Sequence, residues 1–390
     1  MAEELSQLPE LGFPAKWYVE GMVKFLAPAF PTTRVGEPTA PTSWPVFYNP
    51  FSALSRDLTI ILARTFERKG VAAEPLAGSG VRSIRLLVET SNIVKALMND
   101  VNPTAVRVMK INTELNKVSD RTEVFESDAA VFLTGRSSRR DRVYYVDVDP
   151  VGAPAKFVEN SLRAVENDGF LGVSATDLAA LVGNHPEACF RKYGLLSGRT
   201  YFAKEVALRL LSSFVVQRAA SLNVAARPVL SVYHRHFVRI FFRVSRGRSR
   251  VIKLLESLGW IQACNSLHHA QHPLTSPPGL RCVSCGGRAV MIGPAWLGPL
   301  HDQGLVEKMT GQTGELHAAQ KILKKVAEEV DVVGFFPVDL LARASRRHPP
   351  SPARLVEGLR ETGYRASLTH VDPTGVKTDA PVDRVLRVFV

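Results

Sequence analysis

The sequence predicts an α/β protein built on a doubly wound sheet, and two observations carry that reading. From Val71 onward, short apolar runs rich in β-branched residues alternate with helix-length segments, the pattern of repeated strand–helix units. Successive apolar runs also stop at acidic or small polar residues: Asn99-Asp100, Glu126-Ser127-Asp128, Asp149 and Ala175-Thr176-Asp177. In an open α/β sheet the ligand cleft lies beyond the carboxyl ends of the strands.

Met1–Glu10 is acidic and lacks the apolar core of a signal peptide, so the chain reads as cytoplasmic. Residues 11–45 are rich in Pro, Gly and Thr and predict an arm with short strands. Val46-Phe47-Tyr48-Asn49-Pro50 then leads through Ser55-Arg56-Asp57 into a helical run, Leu58–Phe66. The first strand of the sheet is Val71–Leu76. Ala77-Gly78-Ser79-Gly80 follows and turns tightly into a helix, Val81–Glu89. Glycines there let backbone approach a ligand closely, and the helix N-terminus offers oriented N–H groups. Further strands are Ile93–Met98, Thr122–Phe125, Val143–Val148 and Gly169–Ser174. Val143–Val148 reads as a buried parallel strand that ends in the rigid loop Asp149-Pro150-Val151-Gly152-Ala153-Pro154. Pro150 biases Asp149 toward extended backbone, which places its carboxylate at the lip of the cleft. Asp147 lies two residues earlier on the same strand face and reads as a buried structural acid.

The glycine turn alone is shared with dinucleotide binders, but the third glycine of their fingerprint is missing. Acids at successive strand ends fit an S-adenosylmethionine-dependent methyltransferase better. Asp100 would take the ribose hydroxyls and Asp128 the adenine amino group. The chain has 390 residues, 45% of them apolar, with no membrane-length apolar run. Four cysteines are too few for a disulfide scaffold. A formal net charge of +12 with arginine clusters at Arg136–Arg142, Arg243–Arg250 and Arg343–Arg347 points to a nucleic-acid partner. Nothing in the sequence marks an obligate protein partner.

Ordered motifs then make the resemblance specific. They are Val46–Pro50 with Arg56-Asp57, Gly80-Val81-Arg82-Ser83-Ile84-Arg85, Asn99-Asp100, Asp149–Pro154 and Ala175-Thr176-Asp177. They continue through Cys189–Gly194, Trp296-Leu297-Gly298-Pro299-Leu300, Thr369-His370 and Lys377-Thr378-Asp379-Ala380-Pro381. Across nearly its whole length the chain resembles the tRNA (guanine 26, N2)-dimethyltransferase family in archaeal-like form. The resemblance implies a class I, Rossmann-like methyltransferase domain with S-adenosylmethionine as donor, tRNA as substrate, and a smaller α+β C-terminal domain. Matched residue by residue, it implies that Phe47, Arg56, Arg82, Asp100, Asp128 and Ala129 hold the cofactor. A guanidinium at Arg56 or Arg82 suits the methionine carboxylate. It also implies that Asp149 and the Pro150 carbonyl accept the two N2–H groups of the target guanine. Val151 departs from the family's usual Phe or Tyr, whose ring can stack on the base; Phe47 and Tyr48 are the candidates to replace it.

Cys282-Val283-Ser284-Cys285-Gly286-Gly287 has the pattern of a zinc knuckle, and Cys264 precedes it at a spacing suited to the other half of a zinc ribbon. Family members with this site carry a second Cys-x-x-Cys there, but position 267 is Leu. The fourth ligand is then His268, His269 or His272, with His268 the first choice and His269 the next. His234 and His236 alternate in a hairpin-like stretch and read as structural. Helices Glu315–Val330, Pro337–Ser345 and Ser351–Thr362, then strands Tyr364–His370 and Arg384–Val390, predict a winged-helix-like tail. The expected divisions are an arm (1–45), the methyltransferase domain (46–250) and the C-terminal domain (251–390). In the last, the zinc site spans 264–285 and the tail 314–390. Two other readings share these features: a methyltransferase for another nucleic-acid amine, and a non-catalytic RNA-binding protein on the same scaffold.

Overall fold

The computed structural model describes residues 11–29, 32–33, 37–38 and 44–388. The acidic first ten residues lie outside that range. The chain forms two compact units, one of residues 1–151, 159–172 and 311–319, the other of 152–158, 173–310 and 320–390.

The first unit opens with an antiparallel hairpin, β1 (Ala15–Glu20) and β2 (Val23–Pro28). The short strands are those expected of the arm, but the second of them is packed into the interior. Val23, Phe25, Leu26 and Ala27 are fully buried. Asn112 holds the hairpin by accepting from Leu26 N–H at 2.7 Å and donating to the Leu26 and Ser79 carbonyls. Helix α1 (Ala53–Arg64) starts earlier than the apolar run suggested, after a single 3-10 turn at Pro50–Ser52. There follow β3 (Gly70–Glu74), α2 (Val81–Glu89), β4 (Ile93–Asp100), α3 (Pro103–Leu115), β5 (Thr122–Glu126), α4 (Ala129–Thr134) and β6 (Val143–Val148). Pro at the first position of α3 and the Asn102 side chain capping Thr104 N–H explain its sharp start. β6 is buried at every position, as its unbroken apolar run requires.

With β7 (Val165–Ala175), β8 (Val224–His234) and β9 (Phe237–Arg246), the seven-stranded sheet runs β8-β9-β7-β6-β3-β4-β5. β3 pairs in parallel with both β4 and β6, and β4 with β5; β8 and β9 are antiparallel. Strand order therefore reverses between β3 and β6. That reversal opens a crevice where the glycine turn after β3 and Asp149 after β6 are neighbours. His234 ends β8, whereas His236 sits in the turn and not on a strand face.

In the second unit, Leu258–Cys264 lies between His269–Pro273 and Ala289–Trp296 in a three-stranded sheet. Beyond it, Phe336–Pro337, helices Val338–Ser345 and Pro352–Glu361, and strands Ala366–Leu368 and Gly375–Thr378 pack around Leu341, Leu355, Leu359 and Val376. Gly375–Thr378 is the central strand, between Phe336–Pro337 and Ala366–Leu368. Helices at two of the expected places and the first expected strand are present, while Gly375–Thr378 takes the place expected for the second strand. The expected strand Arg384–Val390 is a helix, Val382–Val388, its last two residues lying outside the described range. Pro381 accepts the first helical hydrogen bonds from Arg384 and Val385 N–H. The buried Val382 and Val385 stand three apart, which is helical and not strand spacing.

Several motifs noted in the sequence serve the interior here. Glu205 is fully buried and accepts from Lys377 Nζ at 2.8 Å, Arg209 Nε at 2.7 Å and Gly334 N–H at 2.8 Å. Arg209 also donates to the carbonyls of Trp296 and Gly298. Burial alone would raise the Glu205 pKa, but Lys377 and Arg209 prevail and hold it down to about 2. Because the folded value lies below the unfolded value near 4.5, this stabilisation is present above pH 4.5 and is lost as pH falls toward 2. Hydrogen exchange should therefore show residues 203–220 and 375–388 losing protection through that window, and Glu205→Gln should remove much of the pH dependence. Unchanged protection across it would contradict the assignment.

Candidate active site

Three carboxylates surround one guanidinium at the sheet's reversal. Arg82, on the first turn of α2, is buried. Its Nη2 pairs with Asp149, its Nε faces Glu74 Oε1 at 3.2 Å and Asp147 Oδ1 at 3.5 Å, and its Nη1 donates to Thr59 Oγ1 at 2.9 Å. Asp147 accepts from the Tyr145 hydroxyl, and its side chain is 1% exposed, against 22% for Asp149. The first acid is thus spent inside the protein, while the second is presented at the strand end. Burial pushes Glu74 up to about 7; Arg82 opposes this and Asp147 adds to it.

The glycine turn is built as its sequence suggested. Gly78 has φ +53°, and a Cβ there would fall 2.5 Å from the Phe47 carbonyl oxygen. Gly80, at φ +77°, precedes α2 with no side chain capping the helix, which leaves N–H groups of the first turn for a ligand. Asp100, ending β4, accepts from Gly78 N–H at 2.9 Å and Asn102 N–H at 3.0 Å. Asp128 caps α4 through Ala130 N–H at 2.7 Å, and Ala129 is buried behind it. Phe47 is 37% exposed, whereas Tyr48 is packed against Tyr18, Phe25 and Arg56. Tyr48 is therefore lost as a stacking partner for a base.

Arg56 is buried and grips Glu20 through Nε at 2.6 Å and Nη2 at 2.5 Å, and it donates to the Asn49 carbonyl. Arg85 adds Nη1 contacts to Glu20 at 2.8 Å and Asp57 at 2.7 Å. Burial would raise the Glu20 pKa, but Arg56 and Arg85 bring it below the usual carboxylate range. Glu20, Glu74, Tyr145 and Thr59 did not stand out in the sequence. Glu20 in particular sits in the hairpin, 36 residues from its partner Arg56. An uncapped helix start and strand-end acids suit a nucleoside with a ribose diol. Of the residues the sequence assigns to such a cofactor, Asp100, Asp128 and Phe47 reach solvent and Ala129 is buried, whereas Arg56 and Arg82 are buried with their guanidiniums on Glu20 and on Glu74, Asp147 and Asp149.

The second unit brings Cys264, His268, Cys282 and Cys285 together, with one ligand atom from each within 4.8 Å of the others. Cys264 Sγ lies 3.8 Å from Cys285 Sγ and 3.6 Å from His268 Nδ1. Tetrahedral zinc, with bonds of about 2.3 Å to sulfur and about 2.0 Å to nitrogen, sets these separations near 3.8 and 3.5 Å. The donor set therefore fits zinc. Burial would raise the Cys282 pKa, but N–H groups of Cys285 and Ser284 bring it below the usual thiol value. Leu267, where the family pattern has a cysteine, is buried in one core cluster with Leu341, Leu355 and Val376. His269 turns away, its Nδ1 2.5 Å from the Tyr201 hydroxyl.

Residues 21–390 match the family described as N2,N2-dimethylguanosine tRNA methyltransferase. The chain belongs to this family. Among the N2,N2-dimethylguanosine tRNA methyltransferases it is similar to the tRNA (guanine(26)-N(2))-dimethyltransferase of Methanopyrus kandleri. The two are 36% identical over 90% of this chain and 91% of the relative. The enzyme of that name from Methanothermobacter thermautotrophicus is 33% identical over 88% and 92%. A solved structure of Trm1 from Pyrococcus horikoshii with S-adenosyl-L-methionine superposes with a TM-score of 0.83 at 29% identity, covering 96% of this chain and 99% of that one. The Rossmann-like methyltransferase fold read from the sequence is therefore the fold of the family. No helix among the described residues is long and apolar enough to cross a membrane.

Proposed function

We propose that this protein dimethylates the exocyclic N2 of guanine 26 in tRNA with S-adenosylmethionine as donor, acting in the cytoplasm. The observation that carries this reading is Asp149: a solvent-reaching carboxylate at the end of a buried strand, beside the sheet's reversal. Guanine N2 is a poor nucleophile because its lone pair is delocalised into the ring. Asp149 accepts one N2–H and the Pro150 carbonyl the other, which aims the remaining lone pair outward. Bound S-adenosylmethionine supplies a sulfonium methyl as the electrophile. As the N–C bond forms and the C–S bond breaks, the amine becomes acidic and Asp149 takes its proton. A second round repeats this on the monomethylated nitrogen. Val151 is 54% exposed and offers no ring, so Phe47 is the aromatic left to face the base. In this reading residues 46–250 carry the chemistry, and 251–390, with zinc at Cys264, His268, Cys282 and Cys285, serve the RNA.

A substrate test separates this from methylation of another amine. Transfer of labelled methyl to a tRNA should vanish when guanine 26 is replaced by inosine, which lacks only the amino group. Undiminished transfer to the inosine substrate would exclude N2 of position 26.

A further inference from the structure

Three arginines from separate elements of the second unit line one cavity of about 800 Å³. Arg199 lies in the loop ahead of the helix Ala203–Ala220, and Arg288 directly precedes the strand Ala289–Trp296. Arg343 is in the last turn of the helix Val338–Ser345. All three are exposed. Among the described residues, none of their guanidiniums makes an ion pair or a hydrogen bond, and the lining holds no carboxylate. A cation in a last helical turn suits the macrodipole, which accounts for Arg343 alone. Cys264 also lines the cavity, but a zinc held by three thiolates and a neutral histidine carries one negative charge, which three guanidiniums outweigh. The Thr200 hydroxyl, in the same lining, is buried with no hydrogen-bond partner. Buried polar groups are ordinarily paired, so an orphan beside three unpaired cations marks a place for a ligand's oxygen.

We propose that this cavity binds a phosphodiester, with its adjoining nucleotide, from the backbone of the RNA substrate. Phosphate oxygens accept from several guanidiniums at once, in the forked geometry that arginine presents. The rest of the lining favours a nucleotide over a small free anion. Val290, Leu340 and Ala344 give the cavity an apolar wall, and its volume exceeds what a phosphate alone fills. A sugar and base can lie against that wall while their phosphate meets the arginines. Contacts of this kind fix where the RNA sits and carry no sequence information. The inference rests on the proposed activity on tRNA.

Exposed side chains without partners can be replaced with little risk to folding, so Arg199→Gln/Arg343→Gln tests the site. Binding of unmodified tRNA, measured by anisotropy across a salt series, should weaken roughly tenfold near 0.15 M salt. The slope of log affinity against log salt should fall by about one to two. Affinity for S-adenosylmethionine should stay within about twofold of wild type, which reports an intact fold. Arg288→Gln should weaken tRNA binding in the same way, and Arg343→Lys should keep most of it, because a point charge still pairs with phosphate. Lys69→Gln, an exposed cation in the loop before β3, serves as the control and should change affinity less than about twofold. Unchanged tRNA affinity and salt slope in the arginine variants would overturn the proposal. An equal loss from Lys69→Gln would do so too, since any surface charge would then serve. So would competition of ATP with tRNA at micromolar concentration that the arginine variants abolish, which would make the cavity a free-nucleotide site. The binding arm needs no methyl transfer. A wild type that bound tRNA without methylating it would count against the proposed activity and leave this site standing.

Discussion

Asp149→Ala should lower the turnover number for methyl transfer by roughly 10³-fold or more while cofactor affinity changes less than about threefold. The carboxylate stands where it can orient and deprotonate an amine, and the proposed donor contacts come from other residues. The variant should fold, because Arg82 keeps Glu74 and Asp147 as partners in the interior. Asp100→Ala should show the opposite split. A ribose diol would lose a charged acceptor worth about 1.5–3 kcal/mol, and Gly78 N–H would lose its partner too. Calorimetry with S-adenosylmethionine and single-turnover kinetics read the two quantities separately. Wild-type turnover in Asp149→Ala, or unchanged cofactor affinity in Asp100→Ala, would remove that residue from its role.

Removing zinc should give the other large effect. Purified protein should carry about one zinc per chain. A strong chelator should loosen Trp260–Gly293 in hydrogen exchange while β3–β6 keep their protection, since those strands form their own core. His268→Ala should lose metal at chelator concentrations that wild type withstands. His269→Ala should keep it, because His269 Nδ1 faces Tyr201. Metal-free protein from zinc-supplemented medium would reduce the three cysteines to plain thiols, and loss of metal in His269→Ala alone would reassign the fourth ligand.

Much of this was legible in the sequence because the relevant signals are local. A buried strand running into Asp-Pro, glycines ahead of a helix, and acids at strand ends fix their own surroundings, and Asp100, Asp128 and Asp149 stand where those patterns put them. Long-range pairings left no such trace. The hairpin that seats Glu20 on Arg56 and Arg85 reads in the sequence only as an arm with short strands, because a Pro- and Gly-rich composition does not reveal which residues it buries. Arg82 was read as a ligand for the cofactor carboxylate, and nothing local showed that it also bridges Glu74 and Asp149. The misread strand at Arg384–Val390 has the same cause. A short apolar segment suits either period, and the choice fell to Pro381 and to what Val382 and Val385 pack against.

The central claim is tested most directly by the nucleosides the protein makes. An unmodified tRNA transcript would be incubated with the purified chain and methyl-labelled S-adenosylmethionine, cut with a base-specific nuclease, and its fragments analysed by mass spectrometry. The expected result is N2,N2-dimethylguanosine in the fragment containing position 26, formed through the monomethylated nucleoside and absent with Asp149→Ala. Label on any other atom or base, with guanine 26 unmodified, would contradict the account.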